Sequence, residues 1–255
     1  MPSQSIPKLL KLKDYITLIG TSFGIIALVC ACIGHPALLS LGFFLVTVSL
    51  GTDMVDGYIA RKTKTVNEIG KEMDSLSDSL TFGIAPAILI YQSFKTNTIF
   101  DIVIIIGSIC FAIGAILRLA RFNISENPGY TGVPTPISAL LIITFFYANY
   151  FFSFAKGDFY EFSSYLIPFI MILVGWFNIT TYIQFKEKDK ATYILFIIVA
   201  PLCPIFGIIG LSSPIDIISI IVSIFFICSF LSLMIAIIRG FFLYFRNKNK
   251  NSSPT

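Results

Sequence analysis

The stretch Asp53-Met54-Val55-Asp56-Gly57-Tyr58-Ile59-Ala60-Arg61 places two carboxylates, two small residues and a cation within nine positions of an otherwise apolar chain. After eight intervening residues come Gly70, Asp74 and Asp78, spaced at intervals of four. Carboxylates flanked by long apolar segments cost free energy in or near a bilayer, and they generally mark a functional site. The four aspartates therefore indicate function, and the segments around them decide the fold class.

The composition of the chain is typical of a membrane protein. Of the 255 residues, 56% are hydrophobic and 13% are charged, and the mean hydropathy is +0.86. Soluble domains contain about 25% charged residues, so this chain has far more apolar surface than a water-soluble domain needs. We predict an all-α, polytopic membrane helix bundle that forms a single domain over residues 1–255.

Eight apolar stretches are long enough to cross a bilayer, which requires about 20 residues each. They lie at residues 14–34, 36–60, 67–94, 98–120, 134–155, 162–184, 191–211 and 214–245. We therefore predict about eight transmembrane helices. At the N-terminus, leucine and isoleucine residues are interleaved with Lys8, Lys11 and Lys13, which predicts a short amphipathic helix on the membrane surface or, equally, a frayed basic tail.

Lysine and arginine are concentrated on one side of the predicted bundle. They occur at both termini and in alternate connections, whereas the opposite connections carry little beyond Lys95 and Lys156. Because cytoplasmic loops are enriched in these residues, we expect both termini and the aspartates to lie on the cytoplasmic side of the cell membrane. The net charge of +4 belongs to membrane-flanking residues that favour anionic membrane lipids, and it predicts no nucleic-acid partner.

The spacing of the aspartates predicts a divalent metal site. Asp53 and Asp56 share one face of a helix, and Asp74 and Asp78 share a face of the next. The connection at residues 62–67 is short, so the two helices are antiparallel neighbours whose carboxylates can meet in one cavity. Four carboxylates repel one another unless cations neutralise them. Mg²⁺ prefers oxygen ligands of this kind, and two metals about 4 Å apart can clamp a phosphoryl group.

Three residues beside the aspartates suit a substrate that bears phosphate. Gly57 and Gly70 lack Cβ atoms, so a bulky substrate can approach the backbone there. Arg61 can pair with a phosphate through two parallel hydrogen bonds. Acidic residues at helix ends often simply face water, which would explain one or two of the aspartates. Exposure to water would not explain why both helices carry a pair of aspartates with small residues four positions away.

Written as D-x-x-D-G-x-x-A-R, eight residues, G-x-x-x-D-x-x-x-D, this segment resembles the signature of the CDP-alcohol phosphatidyltransferase family at every fixed position. The resemblance implies an enzyme that transfers a substituted phosphate from a CDP-linked donor to an alcohol and releases CMP. It implies that the metal ligands are Asp53, Asp56, Asp74 and Asp78, with Asp78 also acting as general base. It implies that the CDP donor is bound by Asp56, Gly57, Ala60, Arg61 and Gly70.

The resemblance also implies an architecture, cofactors and partners. Members of the family usually have a core of six transmembrane helices and often form homodimers. We therefore expect a homodimer whose subunits hold two divalent cations, Mg²⁺ or Mn²⁺. The count of eight predicted helices implies two extra helices at the C-terminal end, at about residues 191–245.

Three further segments resemble the phosphatidylserine synthases within that family. They are residues 73–87 (MDSLSDSLTFGIAPA), residues 118–123 (RLARFN) and residues 132–136 (GVPTP). The resemblance implies transfer of a phosphatidyl group from CDP-diacylglycerol to L-serine, giving phosphatidylserine and CMP. Serine needs a cation for its carboxylate, and we expect Arg118, Arg121 and Asn123 to bind serine or a phosphate. Alternatively, both arginines only extend toward lipid headgroups.

The first helix departs from the bacterial members of this subfamily. They often have the pattern N-x-x-T-x-x-N before a later glycine, whereas this chain has Asp14, Thr17, Gly20 and Gly24 in the corresponding row. Both asparagines are therefore missing. We expect Thr17 still to contact the nucleotide of the donor.

Other functions are compatible with the same residues. The acceptor could instead be glycerol 3-phosphate or inositol phosphate, although Ser79 replaces the arginine that is typical of inositol-phosphate-using relatives. The donor could carry archaeal ether-linked chains, which would make the product archaetidylserine. A different class is an ion-coupled transporter of small solutes. Such transporters tend to have broken helices at mid-membrane and paired halves, and no paired halves are visible in this sequence.

Overall fold

The computed structural model describes residues 10–63, 68–125, 130–159, 161–185, 190–212 and 215–251, and nearly all of them are helical. The α-helices are α1 (Leu12–Ile33), α2 (Pro36–Thr63), α3 (Glu68–Asp78), α4 (Ala85–Phe94), α5 (Asp101–Ile124), α6 (Thr135–Lys156), α7 (Glu161–Ile179), α8 (Lys190–Leu211) and α9 (Asp216–Asn251). A π-helical segment, Ser79–Ile84, joins α3 to α4 without a break. The short strands β1 (Tyr130–Thr131) and β2 (Gln184–Phe185) pair antiparallel.

Among the described residues, six helices are long and apolar enough to cross a membrane, so the prediction of a polytopic membrane helix bundle is confirmed. They are Leu12–Ile33, Pro36–Ala60, Asp101–Ile124, Thr135–Lys156, Phe162–Ile179 and Asp216–Phe242. Each of the eight predicted stretches is helical, but two do not meet this criterion within the described residues. One begins with the strongly charged helix α3, and in the other, α8, the side chains that the structure describes begin only at Ile198. The predicted amphipathic helix falls largely on residues 1–9, outside the described residues.

Helices α5 and α7 pack closely through small residues. A Cβ atom on Gly107 would lie 2.8 Å from the Cα atom of Pro168, and one on Gly114 would lie 2.8 Å from the Cα atom of Gly175. The same number of residues separates the members of each pair, so the two helices run parallel in one register. Membrane helices use such small residues to bring their backbones together. This contact places the carboxyl end of α7 beside the last turns of α5.

Aromatic side chains fill the bundle around α6. The rings of Phe43 and Phe146 stack with their centroids 4.1 Å apart, and those of Tyr147 and Phe226 stack at 5.2 Å. The Tyr147 hydroxyl donates a hydrogen bond to the Ser40 carbonyl at 3.2 Å. Stacked rings stabilise a close-packed interior beyond the burial of their area. These four rings, called the aromatic core below, join α2, α6 and α9.

The two C-terminal helices, α8 and α9, pack against α2 and α6. The Ser223 hydroxyl on α9 donates a hydrogen bond to the Ala148 carbonyl on α6 at 2.7 Å. The Tyr150 hydroxyl on α6 donates a hydrogen bond to the Gly210 carbonyl on α8 at 3.4 Å. Helix α8 also packs along α2. These helices therefore enlarge the bundle on the α2 and α6 side, and the last part of α9 also reaches α7, where the rings of Phe241 and Trp176 lie 6.4 Å apart.

Candidate active site

Three of the signature aspartates line one small cavity. Asp53 and Asp56 reach it from α2, and Asp78 reaches it from the end of α3. Its volume of about 10 Å³ is room for about one water-sized particle. Hydroxyl-bearing and small residues and one ring form the rest of its wall: Thr17, Gly20, Ser49, Thr52, Ser77 and Phe82. The carboxylate faces of α2 and α3 therefore meet, as their spacing predicted.

Thr17 connects the fourth aspartate to this cavity. Its hydroxyl oxygen lies 2.7 Å from Oδ2 of Asp56 and 3.1 Å from Oδ1 of Asp74. Two carboxylate oxygens that contact the same hydroxyl lie within about 6 Å of each other. Thr17, which we expected to contact the nucleotide, thus bridges a carboxylate of α2 and a carboxylate of α3.

Helix α1 reaches the aspartates because its buried face consists of small and polar residues. A Cβ atom on Gly20 would lie 2.5 Å from the hydroxyl oxygen of Thr52, so a side chain there would separate α1 from α2. The Ser49 hydroxyl donates to the Gly20 carbonyl at 3.0 Å, and the Thr21 hydroxyl donates to the Ser77 hydroxyl at 2.7 Å. Interhelical hydrogen bonds of this kind hold membrane helices together. They fix α1 against both helices that carry the aspartates.

The residues after Asp78 form the π-helical segment Ser79–Ile84. Such segments are rare and are frequent at functional sites. A wider turn holds an extra residue, so the side chains that follow it point in other directions than α-helical spacing predicts. Thr81 and Phe82 are buried in this segment, and Phe82 lines the cavity. The π-helical turn therefore sets which residues beyond Asp78 border the site.

The side chains around the cavity suit a hard divalent cation. Carboxylate and hydroxyl oxygens are the ligand type that Mg²⁺ and Mn²⁺ prefer. Within the part of the chain that the structure describes, no three acidic, histidine or cysteine side chains are arranged to hold one ion as they stand. However, α1, α2 and α3 gather all four aspartates in one place, and substrate phosphates commonly complete the coordination of Mg²⁺. The chemistry of the donor set therefore fits metal.

Arg118 is the predicted serine or phosphate ligand that lies near the aspartates. Its side chain is 7% exposed, and its Nη1 donates to the Thr135 hydroxyl at 2.9 Å. Its guanidinium interacts electrostatically with the Asp78 carboxylate. A buried guanidinium does not extend to lipid headgroups, which was the alternative interpretation of this residue. The first turn of α6 instead holds the Arg118 cation close to Asp78.

Arg121 donates hydrogen bonds to the end of α7. Its Nη1 lies 2.6 Å from the Ile179 carbonyl oxygen, and its Nη2 lies 3.3 Å from the Asn178 carbonyl oxygen. The last carbonyls of a helix have no partner within the helix, and a cation there is stabilising. Gly132 has φ 81 and packs against the Asn178 carbonyl so closely that a side chain would clash. Arg121 and the turn at Gly132 thus position α7.

Asn123 connects α5 to α3. Its side-chain oxygen accepts a hydrogen bond from the Ser75 hydroxyl at 3.0 Å, and its amide donates to the Glu72 carboxylate at 3.4 Å. The Lys71 ammonium donates to the Asn123 carbonyl at 2.8 Å. Ser75 directly follows Asp74, so these bonds fix the helix that carries two of the aspartates.

The other residues of the predicted donor site lie on α2 and α3. Gly57 and Ala60 are partly exposed on α2, and Gly70 is buried near the start of α3. The backbone at Arg61 is helical, but its side chain lies outside what the structure describes. The structure thus places these small residues on the two helices of the aspartates, which is where the spacing had put them.

Two kinds of site residue were missed by the sequence analysis. Ser49, Thr52 and Ser77 line the cavity but belong to no motif. Lys13 is buried one helical turn before Thr17, although a basic residue near a chain end is normally exposed. Lys13 lies four residues before Thr17, on the same face of α1, and this spacing could have predicted that it lies near the site.

The sequence model of the CDP-alcohol phosphatidyltransferases matches residues 10–184, which include α1 to α7. This match covers more than half of the chain, which therefore belongs to the CDP-alcohol phosphatidyltransferase family. Enzymes of this family generally use divalent metal ions. The match ends at β2, before α8 and α9 begin.

Individual relatives carry more specific names. A CDP-diacylglycerol–serine O-phosphatidyltransferase of Methanocaldococcus jannaschii is 38% identical over 55% of this chain and 63% of its own length. An archaetidylserine synthase of Methanothermobacter thermautotrophicus is 33% identical over 59% of this chain and 64% of its own length. A CDP-diacylglycerol–serine O-phosphatidyltransferase of Helicobacter pylori is 33% identical over 82% of this chain and 84% of its own length. This chain thus spans less than two thirds of the two archaeal relatives.

Proposed function

We propose that this protein transfers a phosphatidyl group from CDP-diacylglycerol to the hydroxyl of L-serine, giving phosphatidylserine and CMP. The observation that carries the proposal is the convergence of the signature aspartates, three around one cavity and the fourth through Thr17. The relatives from M. jannaschii and H. pylori are named for this transfer to serine, which supports the same acceptor here. Membership of a transferase family favours an enzyme over a solute transporter.

The aspartates are the proposed metal ligands. Asp53, Asp56, Asp74 and Asp78 would hold two divalent cations, Mg²⁺ or Mn²⁺. Such ions, when bound, stabilise the charge that develops on phosphate oxygens during displacement. The contribution of the chain is to hold four mutually repelling carboxylates together. Thr17 supports this role because its hydroxyl contacts a carboxylate from each of the two helices.

Asp78 is the proposed general base. Its carboxylate takes the proton of the serine hydroxyl, and the serine oxygen attacks the phosphorus that bears the lipid. The bond from that phosphorus to the bridging oxygen of the diphosphate breaks, and CMP leaves with this oxygen and its electron pair. The position of Asp78 in the cavity wall, within electrostatic reach of Arg118, supports this assignment.

The two substrates occupy different sides of the aspartates in this proposal. The CDP head of the donor lies along α2 and α3 and contacts Asp56, Gly57, Ala60, Arg61 and Gly70. Thr17 of α1 contacts it as well. Arg118 binds the carboxylate of serine, because it is the buried cation near Asp78. Arg121 and Asn123, also expected to contact serine or phosphate, act by positioning α7 and α3, to which their hydrogen bonds go.

A second candidate differs only in the lipid. The relative from M. thermautotrophicus is named an archaetidylserine synthase, and its identity to this chain is close to that of the H. pylori relative. A donor with ether-linked isoprenoid chains presents the same CDP head to the aspartates. Transfer of an archaetidyl group to serine is therefore the alternative that one specific comparison favours.

The surroundings of the site complete the proposal. Residues 10–184 form the family core, and α8 and α9 are an addition to it. The asymmetric distribution of lysine and arginine supports a location in the cell membrane with the aspartates and both termini on the cytoplasmic side. A homodimer is proposed by analogy with the family.

The test is CMP release by detergent-purified protein. CDP-diacylglycerol and its ether-linked counterpart are offered with serine, glycerol 3-phosphate or inositol phosphate, each with and without Mg²⁺ or Mn²⁺. We expect release that requires both metal and serine. If CMP is released only with another acceptor, the assignment of serine as acceptor is wrong, but the proposed metal site stands. No release under any condition would overturn the proposed transfer.

A further inference from the structure

Lys13 is a buried cation that the proposed mechanism does not use. It lies in the first turn of α1 and is 3% exposed, and the neighbouring Asp14 is 0% exposed. The Lys13 ammonium lies 2.7 Å from Oδ1 of Asp14. Oδ2 of Asp14 accepts a hydrogen bond from the backbone N–H of Lys11 at 2.6 Å. Asp14 is therefore held from two directions, and it holds the ammonium in place.

The Lys13 ammonium lies beside the aspartate cluster. Lys13 and Thr17 are four residues apart, so they share the buried face of α1. The Lys13 charge interacts electrostatically with the carboxylates of Asp56 and Asp74, the two that contact Thr17. An ammonium has three N–H donors. Among the described residues it donates a hydrogen bond to Asp14, so two donors are available for a ligand.

Asp14 already pairs with the Lys13 ammonium, and a ligand phosphate can supply a second anion when the site is loaded. Metal ions on the aspartates would repel the ammonium unless negative charge lay between them. A buried ion pair is also weak evidence for stability, because desolvation of the two charges offsets their attraction. The diphosphate of a CDP-linked donor provides negative charge on adjacent phosphates. It could contact metal ions on one side and an ammonium on the other.

We propose that Lys13 binds a phosphate oxygen of the donor and positions the diphosphate over the aspartates, with Asp14 orienting the ammonium. This inference rests on the proposed function. It assigns separate tasks to the two cations that are buried among the described residues: Lys13 of α1 holds the donor, and Arg118 of α5 holds the acceptor. Lys13 belongs neither to the aspartate signature nor to the segments that resemble the serine-using enzymes, so these motifs assign it no role.

Four variants separate a phosphate contact from a purely structural ion pair. Lys13→Met removes the charge and keeps the apolar stem, but it leaves Asp14 buried without its cation. The double variant, Lys13→Met with Asp14→Asn, removes both charges, so no unpaired charge remains buried. Lys13→Arg keeps a cation that can bind phosphate. Lys11→Met, at a neighbouring exposed lysine, is the matched control.

The measurements are the affinities for CDP and for cytidine with Mg²⁺ present, the thermal midpoint, and the KM values for donor and serine. We expect Lys13→Met to weaken CDP binding and to raise the donor KM by about tenfold or more, as for hydrogen bonds to charged groups. Cytidine affinity and the serine KM should stay within about twofold of the wild-type values. The double variant should regain the thermal midpoint but not the CDP affinity, and Lys13→Arg should regain part of that affinity.

Two outcomes would overturn the inference. One is recovery of CDP affinity in the double variant, since a structural pair is repaired by removing both charges. The other is an equal loss of affinity for CDP and cytidine, since only CDP carries the diphosphate. CDP binding is measured without an acceptor, so its result is independent of catalysis. A wild-type protein that binds CDP through Lys13 but releases no CMP would contradict the proposed function and leave the phosphate contact standing.

Discussion

The two sides of the bundle are held together by opposite kinds of contact. Around the aspartates, α1, α2 and α3 meet through glycine, hydroxyl and carboxylate groups, as where Thr17 bridges two carboxylates. Around α6, aromatic rings interlock, as where Phe43 stacks on Phe146. The first side gathers groups that repel one another, whereas the second gathers groups whose contacts are all favourable. This difference implies that changes on the first side alter activity and changes on the second alter stability.

The largest expected effect comes from removing the proposed general base on the polar side of the bundle. Asp78→Asn keeps the shape of the side chain and removes its ability to accept a proton. We expect CMP release to fall by about 10³-fold. The thermal midpoint should stay the same or rise, because one repelling carboxylate is gone. CDP-diacylglycerol binding should be largely retained, and its loss would leave Asp78 with the role of metal ligand alone. Glu68→Gln, at an exposed acidic residue on the same helix, is the control.

The next effect separates the two arginines of α5. Arg118→Ala removes the buried cation near Asp78, and we expect the KM for serine to rise by about 10- to 100-fold. Arg121→Ala removes the hydrogen bonds to the end of α7, so it should lower the thermal midpoint and leave the serine KM of the folded protein unchanged. Serine titrations of both variants at saturating donor measure this. If the serine KM rose equally in both variants, Arg118 would not be the serine ligand with Arg121 only positioning α7.

A smaller effect concerns the close contact of α5 and α7. Gly114→Ala places a Cβ atom against the backbone of Gly175, which cannot rotate away. We expect the free energy of unfolding to fall by about 1–3 kcal/mol. Gly51→Ala is the matched control, because nothing lies within 4 Å of its Cβ position and alanine favours a helix over glycine. Thermal unfolding in detergent compares the two, and an equally stable Gly114→Ala protein would refute the close contact.

The smallest effect tests the aromatic side. Tyr147→Phe keeps the ring stack on Phe226 and removes the hydrogen bond to the Ser40 carbonyl. We expect the free energy of unfolding to fall by about 1 kcal/mol, with CMP release unchanged. Tyr165→Phe, at an exposed ring, should change neither quantity. A Tyr147→Phe protein of normal stability but reduced CMP release would contradict the division of the bundle into an active side and a stabilising side.

The sequence predicts the helices and the convergence of the aspartates because both depend on local spacing. Apolar stretches of bilayer length specify the helices. Intervals of three and four place Asp53 with Asp56, and Asp74 with Asp78, on shared helix faces. A short connection then brings the two faces together. These local features are enough to predict that the carboxylates of the two helices meet.

Other features depend on partners that are distant in the chain, and local patterns do not specify them. The sequence motif of Arg118, Arg121 and Asn123 is continuous, but its side chains go to α6, α7 and α3 respectively. The π-helical turn after Asp78 shifts side-chain directions that α-helical spacing would predict. Lys13 is buried on the face of α1 whose next turn, at Thr17, contacts α2 and α3. These three features could be identified only once the packing of the helices was known.

The parallel contact between α5 and α7 also constrains the order of assembly during synthesis. Gly114 meets Gly175, and the whole of α6 lies between them in the chain. At about 5–20 residues per second, the ribosome needs roughly 3–12 s to add the intervening residues. During that interval α5 is in the membrane without its tightest neighbour, and Arg118 has no finished α7 beside its helix. The acceptor side of the site is therefore the later one to mature, and a nascent chain stalled before α7 would present the four aspartates without it.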